Sequence, residues 1–235
     1  MSERIVAIHQ PNFFPWLGYF AKIAKADVFV FLDDAQFPKK GGTWVNRVKI
    51  FENGAGRWLT APIDRAYSGT RAISEMRFAG GQNWREKTTR ALASAYGRAA
   101  HFETVMPLLE PLILDGDDSI AEYNIRAVRA LAQMLGLRGT EFVRSSQIGG
   151  TRAGTERLID ITRAVDGAIY LCGNGAGGYQ EDALFAEAGL GLRYNGFVCD
   201  AYPQPGGGDF VAGLSVIDAM LNTGIDGVRK LLDIG

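Results

Sequence analysis

Histidine and cysteine are scarce in this sequence, with two of each in 235 residues. Four such side chains make a Cys/His zinc cage only if all of them converge, and two cysteines make no disulfide framework. Zinc hydrolases and knottin-like scaffolds are therefore not expected. Long apolar runs are missing as well: none approaches the roughly 18–20 residues that span a bilayer. Met1–Ile8 lacks the basic and long apolar regions of a signal peptide, so the expectation is a cytoplasmic protein with no membrane span. An excess of one charge is absent too. Lys+Arg 25 against Asp+Glu 26 leaves a formal net charge of −1, whereas a nucleic-acid footprint normally shows as a clustered basic excess. No nucleic-acid partner is expected. What is present is 47% apolar residues, enough for a sizeable core, and 30 glycines without a collagen-like period.

Periodicity divides the chain into three parts. Arg4–Ile8 reads as a buried strand, Phe14–Lys25 as a helix entered through Pro15, and Val28–Leu32 (V-F-V-F-L) as a strand buried on both faces. That order is a βαβ unit and implies a parallel sheet. Strand-like stretches follow at Trp44–Phe51, Trp58–Ile63 and Glu75–Phe78, with Asn53-Gly54 as a hairpin signal. Residues of about 83–138 read as helical: Trp84–Tyr96, His101–Leu114 and Ser119–Leu135, the last capped by Ser119 and stopped at Gly136. Alternation then returns with strands at Thr140–Arg144, Ala168–Cys172 and Leu192–Phe197. Helices are expected at Thr155–Val165, Glu181–Ala188, Leu214–Leu221 and Ile225–Leu232. The expected fold is α/β, a single Rossmann-like domain with a parallel or mixed sheet and a helical insert.

In such sheets ligands lie at the carboxyl ends of strands, beside helix amino ends. Those ends hold His9, Gln10 and Asn12 after the first strand, Asp33, Asp34 and Gln36 after the second, Ser145-Ser146 later, and the glycine-rich run Cys172–Tyr179. His9 is a candidate general base, and its bland alternative is a histidine that only fixes its loop. Paired carboxylates at Asp33-Asp34 suit a cation or acid–base work, and equally suit capping. In W-V-N-R-V-K, strand alternation sets Arg47 and Lys49 on one face and Asn46 on the other. Two cations on one face fit a phosphate or carboxylate, and a solvated face explains them as well. Gly173, Gly175 and their neighbours let backbone N–H groups approach an anion, although the run matches neither a P-loop nor G-x-G-x-x-G. Cys172 as nucleophile, with His9 as base and Asp33 or Asn46 as orienter, competes with a small buried filler. His101 reads as structural, and the four tryptophans read as core or pocket lining rather than stacking platforms.

The run H-Q-P-N-F-F-P-W-L-G-Y-F-A-K-I followed by A-D-V-F-V-F-L-D-D-A-Q-F resembles the WbqC-like protein family. The likeness continues through W-V-N-R-V-K-I, W-L-T-A-P-I, Y-L-C-G-N-G-A-G-G-Y, Y-P-Q (202–204) and L-S-V-I-D-A-M-L-N-T-G (214–224). It implies a role in bacterial surface-polysaccharide (O-antigen) or natural-product biosynthesis, attaching an acyl or aminoacyl group to an amino sugar. The family usually has serine where Cys172 stands, a departure that counts against a cysteine nucleophile. The opening βαβ is also similar to that of the HxGH nucleotidyltransferases, with Trp16 and Tyr19 at the two histidine positions. Losing both removes the groups that steady a transferring phosphoryl.

The combined expectation is acyl or aminoacyl transfer to the amine of a nucleotide-linked amino sugar or other phosphate-bearing molecule. His9 or Asp33 would take the proton and Asn46 would orient. Gln10, Asn12, Trp16, Tyr19, Asp34, Gln36, Arg47, Lys49, Ser145, Ser146, Gly173, Gly175, Tyr179, Tyr202 and Gln204 would contact the substrate. The donor is an acyl or aminoacyl compound, carried by a carrier protein in one version; a homo-oligomer is compatible with all of this. Two alternatives are a nucleotidyltransferase-like activating enzyme, with magnesium on Asp33 or Asp34, and a non-catalytic nucleotide-sugar-binding protein.

Overall fold

The computed structural model describes residues 3–39, 43–81, 83–173, 181–206 and 208–234. Ile5–His9 (β1) leads through a loop to Leu17–Ala24 (α1) and Val28–Phe31 (β2), the last buried at every position. Arg47–Glu52 (β3) and Ala55–Thr60 (β4) form an antiparallel hairpin. Glu52 pairs with Ala55, so Asn53 and Gly54 are the two loop residues, and both have positive φ (52° and 80°). That is the I′ geometry for which Asn-Gly is favoured. Three helices follow: Trp84–Tyr96 (α2), Phe102–Ile113 (α3) and Ile120–Met134 (α4). The last begins at Ser119, whose hydroxyl accepts the Glu122 N–H. Then come Glu141–Arg144 (β5), Ser145–Ile148 (α5), Gly154–Ala164 (α6), Ile169–Cys172 (β6), Asp182–Glu187 (α7), Gly191–Tyr194 (β7) and Val216–Leu231 (α8).

The main sheet runs β5-β2-β1-β6-β7 and every pairing in it is parallel. This is a Rossmann-like order: the chain builds outward from β1 through β2 to β5, then returns to the other side of β1. The reversal falls between β1 and β6, and ligands of such sheets sit outside the carboxyl ends of that pair. Alternation along the strands divides the core into two layers. Val6, Ile8, Val28, Val30, Tyr170 and Cys172 pack against Ile159 and Ile161 of α6 and Phe185 of α7. Ala7, Phe29, Phe31 and Leu171 face the larger cluster, which also takes in α1, the hairpin, α2, α3, α4 and α8. The expected helical insert is therefore present, and its apolar faces share the core of the sheet.

Three expectations are corrected. Glu75–Phe78 is not a strand: Ile73–Glu75 is a 3-10 turn, and Arg77 and Phe78 make only isolated bridges to Ser119 and Ile63. The last strand stops at Tyr194. The two terminal helices abut as α8, broken at Gly224, where φ is 73°. The His101 ring lies where a side chain at 224 would stand, so His101 is packing, as its sequence context implied. Among the described residues no helix is long and apolar enough to cross a membrane.

Candidate functional site

The loop from β1 to α1 carries the most specific sequence in the chain, and the rest of the structure holds it from three sides. The Phe13 N–H donates to the Trp44 carbonyl at 2.8 Å. The Asn124 amide donates to the carbonyls of Pro11 and Val45 at 2.8 and 2.7 Å. The Ser215 hydroxyl donates to the Phe14 carbonyl at 2.7 Å, while its backbone N–H donates to the Lys49 carbonyl. Phe14 has φ of 40°, which a bulky residue adopts only where its surroundings impose it. These bonds join the end of β1 to the start of the β3–β4 hairpin as one surface.

At the end of β1, the His9 Nδ1 lies 3.1 Å from the Gln10 carbonyl, and its ring packs 4.7 Å from that of Tyr19. A carbonyl only accepts, so this contact requires the proton on Nδ1 and leaves Nε2 as the ring's acceptor. Burial lowers the His9 pKa to about 3, helped by the nearby Lys22 ammonium, so the ring is neutral at physiological pH. A group this acidic in its protonated form is a poor place to store a proton. His9 suits hydrogen bonding better than the near-neutral base expected of it.

Lys22 was not anticipated from sequence. It is 3% exposed on α1, and among the described residues its Nζ makes one hydrogen bond, 3.0 Å to the Ile8 carbonyl. Burial pulls its pKa down to about 8. Three ammonium protons with one acceptor make an unsaturated buried cation beside the switch point.

Trp16 and Tyr19, at the motif histidine positions, behave differently from each other. Tyr19 is buried, its hydroxyl donates to the Gln10 carbonyl at 3.0 Å, and burial raises its pKa well above the usual phenol value. Trp16 is half-buried, edge-on to Phe197 at 5.9 Å, and its indole lies across Gly18. A Cβ at Gly18 would stand 2.3 Å from the indole carbons, so the W-L-G spacing is a packing requirement. Asn12 is 6% exposed, and its Oδ1 has no hydrogen-bond partner among the described residues.

Arg47 and Lys49 share one face of β3, as alternation predicts, and their side chains make no ion pair or hydrogen bond with any described residue. Both lie over the Trp58 ring, at 4.1 and 5.3 Å from its centroid. Trp58 in turn packs 5.0 Å from Trp44 at an interplanar angle of 55°. These indoles are 38% and 44% exposed, so two of the four tryptophans form a surface pair rather than core. Asn46 precedes β3 in a turn. It is buried, with its amide donating to the Ala61 carbonyl and its oxygen facing the Thr43 N–H, which makes it a brace for the hairpin.

The other strand-end cluster is closed upon itself. Asp33, 1% exposed, accepts from the Ser145 hydroxyl (3.2 Å), the Ser146 N–H (3.0 Å) and the Ser146 hydroxyl (2.8 Å). Asp34 accepts from the Ser145 hydroxyl at 2.5 Å and from Arg157 at 2.6 Å. Both carboxylates thus tie β2 to the first turn of α5, an element the sequence reading missed. Gln36 is exposed and bridges to Ala72, away from this knot.

Tyr202 and Gln204 form a third group, around Asp218. This buried carboxylate accepts from Tyr96 (2.8 Å), Tyr202 (2.6 Å), Gln204 (3.1 Å) and Asn222 (3.4 Å). Gln204 also exchanges two bonds with the Val211 backbone. Burial raises the Asp218 pKa, opposed by the Tyr202, Tyr96 and Gln204 hydrogen bonds. The Y-P-Q and L-S-V-I-D-A-M runs, distant in sequence from β3, therefore meet as a brace. Gly173 is half-buried after β6, while Gly175 and Tyr179 lie outside the described residues.

The sequence profile of the WbqC-like protein family matches residues 10–230, nearly the whole chain. The chain belongs to the WbqC-like protein family. This WbqC-like protein is also 31% identical over 225 residues to the uncharacterized protein Rv1507c of Mycobacterium tuberculosis (strain ATCC 25618 / H37Rv), with 94% of each chain covered. No solved structure matches it.

Proposed function

We propose that this WbqC-like protein binds a nucleotide-linked amino sugar, or a comparable phosphate-bearing small molecule, and transfers an acyl or aminoacyl group to its amine. The setting is bacterial surface-polysaccharide or natural-product biosynthesis. The observation that carries this reading is the pair of unpaired cations, Arg47 and Lys49, on a strand laced to the β1 carboxyl end at the sheet's switch point. An unpaired cation pair on an ordered strand face lacks an anion, and phosphate is the anion such sheets most often hold at that end.

In the proposed reaction the amine attacks the acyl carbon of an activated donor. The new C–N bond forms, the bond to the donor's leaving group breaks, and the departing group takes up the amine proton. His9 Nε2 accepts a hydrogen bond from the amine and orients it, while burial, seconded by the Lys22 charge, keeps the imidazole neutral. Asp33, with both oxygens engaged by Ser145 and Ser146, is set aside as base.

Thermal-shift and calorimetric titration with nucleotide-linked amino sugars, sugar phosphates and pyrophosphate test the binding, and mass detection of the N-acylated sugar tests the reaction. Stabilisation by phosphate-bearing ligands, lost in an Arg47→Ala, Lys49→Ala double variant, is the expected result. No stabilisation by any phosphate-bearing ligand overturns the proposal.

A further inference from the structure

Two of the tryptophans meet at the surface of the hairpin. Trp44 and Trp58 meet across the entrance of β3 and its partner strand, 5.0 Å apart and tilted by 55°, and together they leave an open aromatic wedge. Large aromatic side chains this exposed on an ordered strand pair are costly to leave facing water, at about 25 cal/mol per Å² of apolar surface. The cations beside them sharpen the point. Arg47 lies over Trp58, and its Nε is buried without an acceptor. Lys49 stands opposite Trp58 in the ladder and has no carboxylate partner. The patch therefore offers a flat π surface and two cations within a few ångströms of each other. An occupant that satisfies both must carry an aromatic plane joined to an anion.

We propose that Trp44 and Trp58 form the wall on which the base of a nucleoside diphosphate stacks, with its diphosphate held by Arg47 and Lys49. This rests on the phosphate-binding reading above and deepens it, because it specifies a nucleoside rather than any phosphate ester. Stacking on indole tolerates every base, so the wedge selects for a base being present and not for its identity. A sugar or acyl group beyond the diphosphate would then extend toward His9 and Asn12, since the Phe13 N–H is bonded to the Trp44 carbonyl and fixes the two surfaces side by side. Two kinds of molecule carry this chemistry, a nucleoside-diphosphate sugar and the adenosine diphosphate portion of coenzyme A.

Titration of the whole chain with UDP, dTDP, ADP, coenzyme A and inorganic pyrophosphate, read by calorimetry and tryptophan-fluorescence quenching, is the test. A stacked base is worth about 1–3 kcal/mol, or roughly five- to 150-fold in affinity. Nucleoside diphosphates are expected to bind at least about five-fold tighter than pyrophosphate and to quench fluorescence. Trp44→Leu and Trp58→Leu are each expected to erase that advantage while leaving pyrophosphate affinity unchanged. Whichever of the nucleoside diphosphates and coenzyme A binds tighter identifies the source.

Equal affinity for pyrophosphate and nucleoside diphosphates, unmoved by either tryptophan variant, overturns the nucleoside assignment and leaves the phosphate reading standing. Absence of binding by all five overturns both. A change in molar mass by light scattering in Trp44→Leu would assign the wedge to contact between copies of the chain and also overturn the nucleoside assignment. Melting curves of the two variants guard against loss of fold, and the Trp44 substitution is the control if Trp58→Leu destabilises the hairpin.

Discussion

Two polar clusters sit at carboxyl ends of strands of the main sheet, one of them continuing onto the β3–β4 hairpin, and they differ in how many of their bonds are made. At the ends of β2 and β5, the carboxylates of Asp33 and Asp34 accept from Ser145, Ser146 and Arg157 at every one of their oxygens. At the end of β1 and along β3, among the described residues, Lys22 has one acceptor, Asn12 Oδ1 has no donor, and Arg47 and Lys49 have no ionic partner. Residue type does not separate the two, since both contain charges and strand-end positions. Saturation does. A buried polar group left unmade costs about 1–3 kcal/mol, and a fold keeps such groups where a ligand completes them. The closed cluster fastens one element to another, and the open one is where chemistry has room.

The largest effect should come from opening the closed cluster. Asp33→Ala strands the Ser146 N–H and the Ser146 hydroxyl, while the Ser145 hydroxyl keeps Asp34 as its acceptor. At about 1–3 kcal/mol for each orphaned donor, it should lower unfolding free energy by about 2–4 kcal/mol in urea melts. Phosphate-ligand affinity measured well below the melting point should be unchanged. A stable Asp33→Ala protein that has lost ligand binding would reverse the assignment of the two clusters.

Proton linkage separates the regions next, at up to about 1.4 kcal/mol per pH unit for each group. His9 has its folded pKa depressed to about 3, so the unfolded chain takes up a proton first as pH falls. Its contribution is full above about 6.5 and is lost on the way down toward about 3. Asp218 has its folded pKa raised by burial, so its contribution is full below about 3.9, the unfolded value, and is lost as pH rises through the folded one. Denaturant midpoints from pH 4 to pH 8 should therefore shift in opposite senses in His9→Gln and Asp218→Asn. The first variant should flatten the acid-side loss and the second the loss on raising pH. Two variants with the same pH slope would contradict the opposed shifts.

Local chemistry was legible where one element decides it. Asn53-Gly54 names its own turn, α2 spans the predicted residues, and period-two alternation put Arg47 and Lys49 on one face. The parallel pairing of β1 with β2 followed from the βαβ order and from the continuous apolar run at Val28–Leu32, which marks a strand buried on both faces. What escaped depends on pairs far apart in the chain. Trp44 and Trp58 look like any core aromatics until the hairpin register sets them side by side. Tyr202 and Gln204 read as ligand contacts because nothing near them in sequence announces Asp218. Lys22 sits in F-A-K-I among residues buried all around α1, so no polar stripe marks it. Ser145-Ser146 reads as a strand end, but the pair opens a short helix and donates hydrogen bonds to the distant Asp33.

The smallest effect on stability is expected where the bonds are unmade, and it is the most informative. Among the described residues Arg47 and Lys49 hold no carboxylate, so Arg47→Ala and Lys49→Ala should each change unfolding free energy by no more than about 1 kcal/mol. What each loses is its contact with the Trp58 ring, and at an exposed site a cation–π pair is worth about 0.5–1 kcal/mol. Pyrophosphate and nucleotide affinity should nevertheless drop by an order of magnitude or more for each, since a charge-assisted hydrogen bond contributes about 1.5–3 kcal/mol. Stability and binding would then move independently, opposite to Asp33→Ala, where stability falls and binding holds. If Arg47→Ala instead costs several kcal/mol with binding intact, the unmade bonds on β3 belong to the fold, and the line drawn between saturated and unsaturated clusters does not separate structure from function in this chain.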